Sequence, residues 1–194
     1  MLLIHGAMRA ANDLFDFGQR IKNCVYGHLP GHNVPNLTEM SVDAWSKAFA
    51  VAAAEFFQER PVLVVGESLG GLVAIGIARF PIARIHHVVA IDPPLSPMPW
   101  PLATAALTPS IRSLFEHDHW PLLEAARIPV TIVAGSEDLG QQRDADRSPS
   151  LMSDIDKRRA STMSTLHVIP GGHLLLQENP DACGQILLQL MQQV

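Results

Sequence analysis

The stretch GESLGG, residues 66–71, lies between an apolar run at residues 61–65 and a second apolar run at residues 69–80. The first run predicts a buried strand and the second is compatible with a helix, so strand, sharp turn and helix follow one another. Glycines two positions before and after Ser68 allow the backbone to turn tightly and to expose the hydroxyl at the strand's carboxyl end. We therefore predict that Ser68 is a nucleophile on such a turn, against the alternative of an ordinary glycine-rich turn.

Short runs rich in branched aliphatic residues recur along the whole chain, separated by segments long enough for helices. They lie at residues 2–5, 23–26, 61–65, 85–91, 129–134 and 165–169. Continuously apolar strands that alternate with helices are typical of a parallel sheet covered on both faces. We predict an α/β fold with about six mainly parallel strands flanked by helices. The most regular helix is predicted at residues 42–60, with Ser41 as its cap and Trp45 and Phe49 in the core.

Composition limits the domain count and the class of partner. The chain has 194 residues, 47% of them hydrophobic, and a formal net charge of -5. This length suits one domain, residues 1–194, and the charge, without a basic cluster, argues against a nucleic-acid partner. Cys24 and Cys183 lie in no metal or disulfide pattern, and no apolar run approaches the roughly 20 residues of a membrane span. Because the amino terminus also lacks signal-peptide features, we expect a cytoplasmic protein.

Residues 93–128 depart from the strand–helix alternation. The segment is rich in proline and carries Trp100, Phe115 and Trp120 between two predicted strands. Proline breaks regular structure, so we predict an insertion that begins at a strand's carboxyl end, where open α/β sheets bind ligands. It is a candidate lid, with its three aromatic side chains lining a substrate pocket. The alternative is that the aromatics only pack the insertion onto the sheet.

A serine hydroxyl needs a base to act as a nucleophile, and the base needs an acid to orient it. The predicted strand at residues 129–134 is followed by Gly-Ser-Glu-Asp, and the one at 165–169 is followed by Pro-Gly-Gly-His. We predict His173 as the base and Asp138 as the acid, because the chain order Ser, Asp, His is that of one class of serine hydrolase. Glu137 and Asp92 compete with Asp138, and Asp92 ends an earlier strand.

Two backbone amides must stabilise the oxyanion of a tetrahedral intermediate. The amide of Leu69 follows the nucleophile directly. The loop after the first predicted strand reads His5-Gly6-Ala7-Met8, which makes the Ala7 amide the second candidate and Met8 a candidate pocket residue.

With these motifs in place, the chain resembles the α/β-hydrolase superfamily over nearly all of its length. The matching elements are HGAM at 5–8, LPGH at 29–32, GESLGG, GSED at 135–138 and GGH at 171–173. The HGA and SLGG motifs are most similar to the small esterase and hydroxynitrile-lyase branch. The resemblance implies that the family's first two strands are missing, which would expose a sheet edge and invite a second copy of the chain.

The expected function is hydrolysis of a small carboxylic ester, or a related acyl substrate, through a Ser68 acyl-enzyme. No cofactor is expected, because the chain has no phosphate loop or dinucleotide fingerprint. No metal site is expected either, since Pro30 and Gly31 separate His28 from His32 and His117-Asp118-His119 lacks identified further ligands. Two alternatives remain: a catalytically silent binding protein, and the same three residues used for lyase, thioesterase, amidase or acyl-transfer chemistry.

Overall fold

The computed structural model describes residues 1–58, 60–80, 84–98, 108–137 and 148–193. Its strands are β1 (Leu2–Ile4), β2 (Val25–Gly27), β3 (Val62–Glu67), β4 (Ile85–Ile91), β5 (Val130–Gly135) and β6 (Thr165–Ile169). Its α-helices are α1 (Phe15–Ile21), α2 (Val42–Phe57), α3 (Leu69–Ile77), α4 (Pro109–Ser113), α5 (Trp120–Glu124), α6 (Asp154–Ala160), α7 (Leu175–Glu178) and α8 (Pro180–Met191). A short 3-10 helix, Ala11–Leu14, precedes α1.

The six described strands form one sheet in the order β2-β1-β3-β4-β5-β6. Every described pairing is parallel, which confirms the predicted α/β fold. All residues of β3 and β5 are buried, because helices cover both faces of the sheet. The carboxyl ends of the parallel strands share one edge of the sheet, so the loops that follow β1, β3, β4 and β6 lie close together.

Alternate residues of β3 belong to two hydrophobic clusters, one on each face of the sheet. Val62 and Val64 join the cluster that includes Trp45 of α2. Leu63 and Val65 join the cluster that includes side chains of α1 and α8. Ser68 therefore follows a strand that is fixed by packing on both faces.

A side-chain cap and a backbone turn set the two ends of helix α2. Ser41 Oγ accepts a hydrogen bond of 3.0 Å from the Ala44 amide and caps the helix. The helix ends at Phe57, earlier than the predicted residue 60, because Gln58 has a φ of 50°. Trp45 is fully buried, as the sequence predicts.

The proline-rich segment at residues 93–128 is described except for residues 99–107. It contains α4 and α5. Phe115 and Trp120 are both buried in the hydrophobic cluster that includes Trp45 of α2. The Trp120 Nε1–H donates to Ser96 Oγ at 3.0 Å, and the Arg159 guanidinium lies 4.3 Å from the centre of the Trp120 ring. The described aromatics thus attach the segment to the domain, and Trp100 lies outside the described residues.

Among the helices of the described ranges, none has both the length and the apolar character that a membrane span requires.

Candidate active site

Ser68 occupies a strained turn between β3 and α3. Its φ and ψ are 56° and -121°, in a region that residues with side chains rarely adopt. A Cβ on Gly66 would lie 2.0 Å from the Gly70 carbonyl oxygen, and a Cβ on Gly70 would lie 2.4 Å from the His5 carbonyl oxygen. Only glycine fits at both positions. The turn therefore has the geometry that the GESLGG stretch predicts.

His173 lies in the loop between β6 and α7, at the same edge of the sheet. Its Nδ1 is 2.8 Å from Asp92 Oδ2, and its amide donates to the Ser148 carbonyl oxygen at 2.9 Å. A carboxylate only accepts hydrogen bonds, so this contact assigns the proton to Nδ1. Nε2 is then the ring nitrogen that can accept a proton from a serine hydroxyl.

Asp92 directly follows β4 and is fully buried. Its Oδ1 accepts from Ser150 Oγ at 2.6 Å and from the Gly135 amide at 3.3 Å. Its Oδ2 accepts from the Leu151 amide at 2.7 Å as well as from His173. Donors from two loops and from the end of β5 thus fix the orientation of this carboxylate, and through it the orientation of the imidazole.

The acid predicted from the sequence was Asp138, which lies outside the described residues. The carboxylate in contact with His173 belongs to Asp92, the competing residue at the earlier strand. The Glu137 amide donates to the Gly171 carbonyl oxygen, and the Glu137 carbonyl oxygen accepts from the Ser150 amide. The turn after β5 thereby supports the loops of both His173 and Ser150. A sequence signal for Asp92 existed, namely an aspartate directly after a buried strand.

Ser68 and His173 are not hydrogen-bonded to each other. In the described part of the chain, no bond of 3.5 Å or less joins Ser68 Oγ to the imidazole. Catalytic hydrogen bonds are often long in the absence of substrate, so the separation is compatible with a catalytic pair.

The loop after β1 lies against the serine turn. A Cβ on Gly6 would be 3.0 Å from Ser68 Cβ and 3.6 Å from Ser68 Oγ. Within the described residues, neither the Ala7 amide nor the Leu69 amide donates a backbone hydrogen bond. Both amides are free of backbone partners there, and their role as oxyanion donors stays a prediction.

His5 stabilises the loop after β1 through two hydrogen bonds of its ring. The Leu29 amide donates to His5 Nε2 at 3.1 Å, so the ring proton is on Nδ1, which donates to the Gly6 carbonyl oxygen at 2.7 Å. Burial lowers the pKa of His5 to about 4, which keeps the ring neutral at physiological pH. This histidine is a structural support for the loop rather than a proton carrier.

Two further histidines surround His5. The ring centroids of His28 and His32 lie 6.0 Å and 5.4 Å from that of His5, in edge-on arrangements. No group of three or more His, Cys, Asp or Glu side chains within the described ranges could hold a metal ion.

A cavity of about 370 Å³ opens beside Met8, the residue after Ala7. Its lining residues are Met8, Gly31, His32, Asn36, Met40, Thr108, Ser110 and Ile111. Met8 lines this cavity, whereas Phe115, Trp120, Ser68 and His173 are not among its described lining residues, so the substrate pocket stays a prediction. Its walls combine thioether and aliphatic groups with amide, hydroxyl and imidazole groups.

Together, the parallel sheet and the strand–serine–helix turn define the nucleophile-elbow class of α/β fold. Residues 1–134 match the model of the alpha/beta hydrolase family, and the chain belongs to this family. The resemblance inferred from the sequence motifs is confirmed. A comparison with curated protein sequences gave no match.

Solved structures share the fold at low sequence identity. A lipase-esterase related protein from Clostridium acetobutylicum is 15% identical with a TM-score of 0.73, over 97% of this chain and 92% of that one. An esterase from Mycobacterium tuberculosis is 19% identical with a TM-score of 0.71, over 98% and 83%. A thioesterase domain from the curacin biosynthetic pathway is 17% identical with a TM-score of 0.66, over 96% and 90%.

Proposed function

We propose that this hydrolase-family protein cleaves a small carboxylic ester through a Ser68 acyl-enzyme, with His173 as the base and Asp92 as the acid. The observation that carries the proposal is the 2.8 Å contact between His173 Nδ1 and Asp92 Oδ2, at the sheet edge where the strained Ser68 turn lies. Asp92 replaces Asp138 in this assignment because its carboxylate makes the contact that orients the imidazole.

In the acylation step, His173 Nε2 takes the Ser68 proton as Oγ attacks the ester carbonyl carbon. The Ala7 and Leu69 amides donate to the resulting oxyanion. The tetrahedral intermediate then expels the alkoxide, which leaves as an alcohol after it takes the proton from His173. In the second half, His173 removes a proton from water, and the hydroxide attacks the acyl carbonyl to release the acid and restore the Ser68 hydroxyl.

A cavity lies beside Met8, the residue after the Ala7 donor, and its described lining includes neither Ser68 nor His173. Its volume of about 370 Å³ lies near the lower end of typical ligand pockets. Because the walls are partly polar, we expect an ester with a short or polar acyl or alcohol group. The related structures named as esterase and thioesterase support acyl chemistry, and a thioester is the closest competing substrate.

Covalent labelling tests the nucleophile. A fluorophosphonate should add once to the native protein and not to Ser68→Ala, with the adduct measured by mass spectrometry. His173→Ala should lose ester turnover by several powers of ten, about as much as Ser68→Ala, because the residues act as a unit. Labelling that survives Ser68→Ala would remove Ser68 from the mechanism.

A panel of esters and matched thioesters identifies the substrate class. The native protein should show higher kcat/KM for short acyl esters, and Ser68→Ala should abolish turnover of every member. A higher kcat/KM for the thioesters would assign thioesterase chemistry to the same residues.

A binding protein without catalysis is the second candidate. The structure of Ser68 and His173 without a mutual hydrogen bond is compatible with this candidate as well, because a serine that is never activated does not attack an ester. The same two measurements separate the candidates. A protein that binds short esters but shows neither labelling nor turnover would be a receptor.

A further inference from the structure

Glu67 is a buried carboxylate for which the proposed mechanism has no use. It ends β3, directly before Ser68, and its side chain is completely buried. Leu63, Val65 and Glu67 alternate along the strand, so Glu67 lies on the same sheet face as these two apolar residues. A charge in such surroundings is expensive, and burial accordingly raises the pKa of Glu67 above its ordinary value.

Arg9 is the cation that faces this carboxylate. Its Nη1 lies 2.8 Å from Glu67 Oε2, and the arginine side chain is only 11% exposed. A second guanidinium nitrogen donates to the Asp13 carbonyl oxygen at 3.3 Å. Asp13 in turn accepts a hydrogen bond from the Ala10 amide at 2.8 Å. Arg9 is therefore held between the serine turn and the short helix that follows the β1 loop.

The ion pair joins two segments that are 58 residues apart in sequence. Arg9 comes two residues after Ala7, and Glu67 comes two residues before Leu69. The two ends of the pair thus belong to the two segments that carry the oxyanion donors. The contact therefore links the two segments that carry the candidate donors.

The carboxylate of the pair is incompletely hydrogen-bonded. In the described part of the chain Glu67 Oε1 makes no hydrogen bond, although the nearby Leu176 backbone favours the ionised form. Buried ion pairs with incomplete hydrogen bonding often stabilise a protein less than apolar residues of the same volume would. An effect on geometry is the remaining explanation for a charge pair next to the nucleophile.

We infer that the Arg9–Glu67 ion pair sets the spacing of the oxyanion hole, with Arg9 and Glu67 as positioning residues for the Ala7 and Leu69 amides. The inference rests on the proposed function. Loss of a whole oxyanion donor lowers kcat by about 100-fold to 1000-fold. A displaced donor should lower kcat by less, about 10-fold to 100-fold.

The test measures kcat, KM and the inhibition constant of a boronic acid, which forms a tetrahedral adduct with an active serine. Arg9→Gln and Glu67→Gln should each lower kcat by about 10-fold to 100-fold, with KM within about threefold of the native value. Inhibition by the boronic acid should weaken in parallel with kcat/KM. The double variant should be no slower than the slower single one, because both substitutions break one contact. Arg9→Lys, which keeps the charge, should recover part of the kcat.

An apolar pair separates positioning from folding. Arg9→Met combined with Glu67→Leu removes both charges without leaving either one buried alone. If the pair positions the oxyanion hole, the melting temperature of this double variant should be at or above that of the native protein. Its kcat should still be as low as that of the single variants. If this variant folds with native kcat, the inference is wrong. That result would assign the ion pair to stability alone.

Arg20→Gln is the matched control, because Arg20 forms an exposed ion pair with Asp181 at 2.6 Å, far from the serine turn in sequence. Its kcat should equal the native one. Native protein that fails to label at Ser68 and to turn over esters would overturn the proposed function and this inference together. Native turnover with undiminished kcat in Glu67→Gln and Arg9→Gln would overturn the inference alone.

Discussion

Asp92 and Glu67 are buried carboxylates on neighbouring central strands, yet their surroundings differ. Asp92 follows β4 and accepts hydrogen bonds from His173, Ser150, Leu151 and Gly135. Glu67 ends β3 and has a single ion pair, with Arg9. Burial alone therefore does not define the role of a carboxylate. A residue surrounded by donors can orient a histidine rigidly, whereas one with a single cation joins two chain segments.

Asp92→Asn should have the largest effect. The amide preserves size but favours the wrong histidine tautomer, so kcat should fall by about ten-thousandfold, as in other serine triads. Steady-state ester hydrolysis measures it. Asp138→Asn and Glu137→Gln are the controls and should be mild. A severe loss in Asp138→Asn with a mild one in Asp92→Asn would return the acid to the turn after β5.

Ser150→Ala tests whether the donors around Asp92 matter individually. It removes the 2.6 Å hydrogen bond to Asp92 Oδ1 but leaves the two amide donors in place. A hydrogen bond to a charged group contributes about 1.5–3 kcal/mol, so its loss should lower kcat by at most about 10-fold to 150-fold. Ser164→Ala is the control, because Ser164 bonds only a helix carbonyl at Ala160. An unchanged kcat in Ser150→Ala would mean that the amides alone fix Asp92.

Glu67 should make the protein less stable as the pH rises. Because its pKa is raised in the folded protein, the unfolded chain releases this proton at lower pH, and ionisation disfavours folding. The free energy of unfolding of the native protein, relative to Glu67→Gln, should therefore decline as the pH rises above about 4.5. Urea unfolding at several pH values measures it. A difference between the native protein and Glu67→Gln that does not change with pH would contradict the raised pKa of Glu67.

His5 should produce the opposite trend. Its folded pKa of about 4 lies below the ordinary value of 6.5, so the unfolded state binds the proton first as the pH falls. Its stabilising contribution is complete above pH 6.5 and is lost between pH 6.5 and about 4. Thermal unfolding of His5→Gln should lack this component, since a glutamine oxygen can still accept from the Leu29 amide. An identical pH dependence in the two proteins would contradict a neutral buried His5.

The sequence predicts the elbow and the sheet because both depend on local patterns, namely glycine spacing around Ser68 and runs of buried residues. His173 was found from its position after the last strand. The acid that orients His173 was harder to assign from the sequence, because Asp92 and Asp138 both follow predicted strands. The convergence of Ser150 and Leu151 on Asp92 depends on loop paths that no local pattern encodes. Arg9 and Glu67 were not predicted as partners for the same reason.

The parallel sheet also has a consequence for how the protein folds. Parallel neighbours cannot be joined by tight hairpins, so each pairing must wait for a crossover segment to form. Ser68 follows the third strand in chain order, Asp92 the fourth and His173 the sixth. A nascent or partly folded chain that already has its serine turn still lacks the residue that would activate it. In the proposed mechanism, reactivity therefore begins only when β6 has joined the sheet, and labelling of Ser68 would measure the last stage of folding.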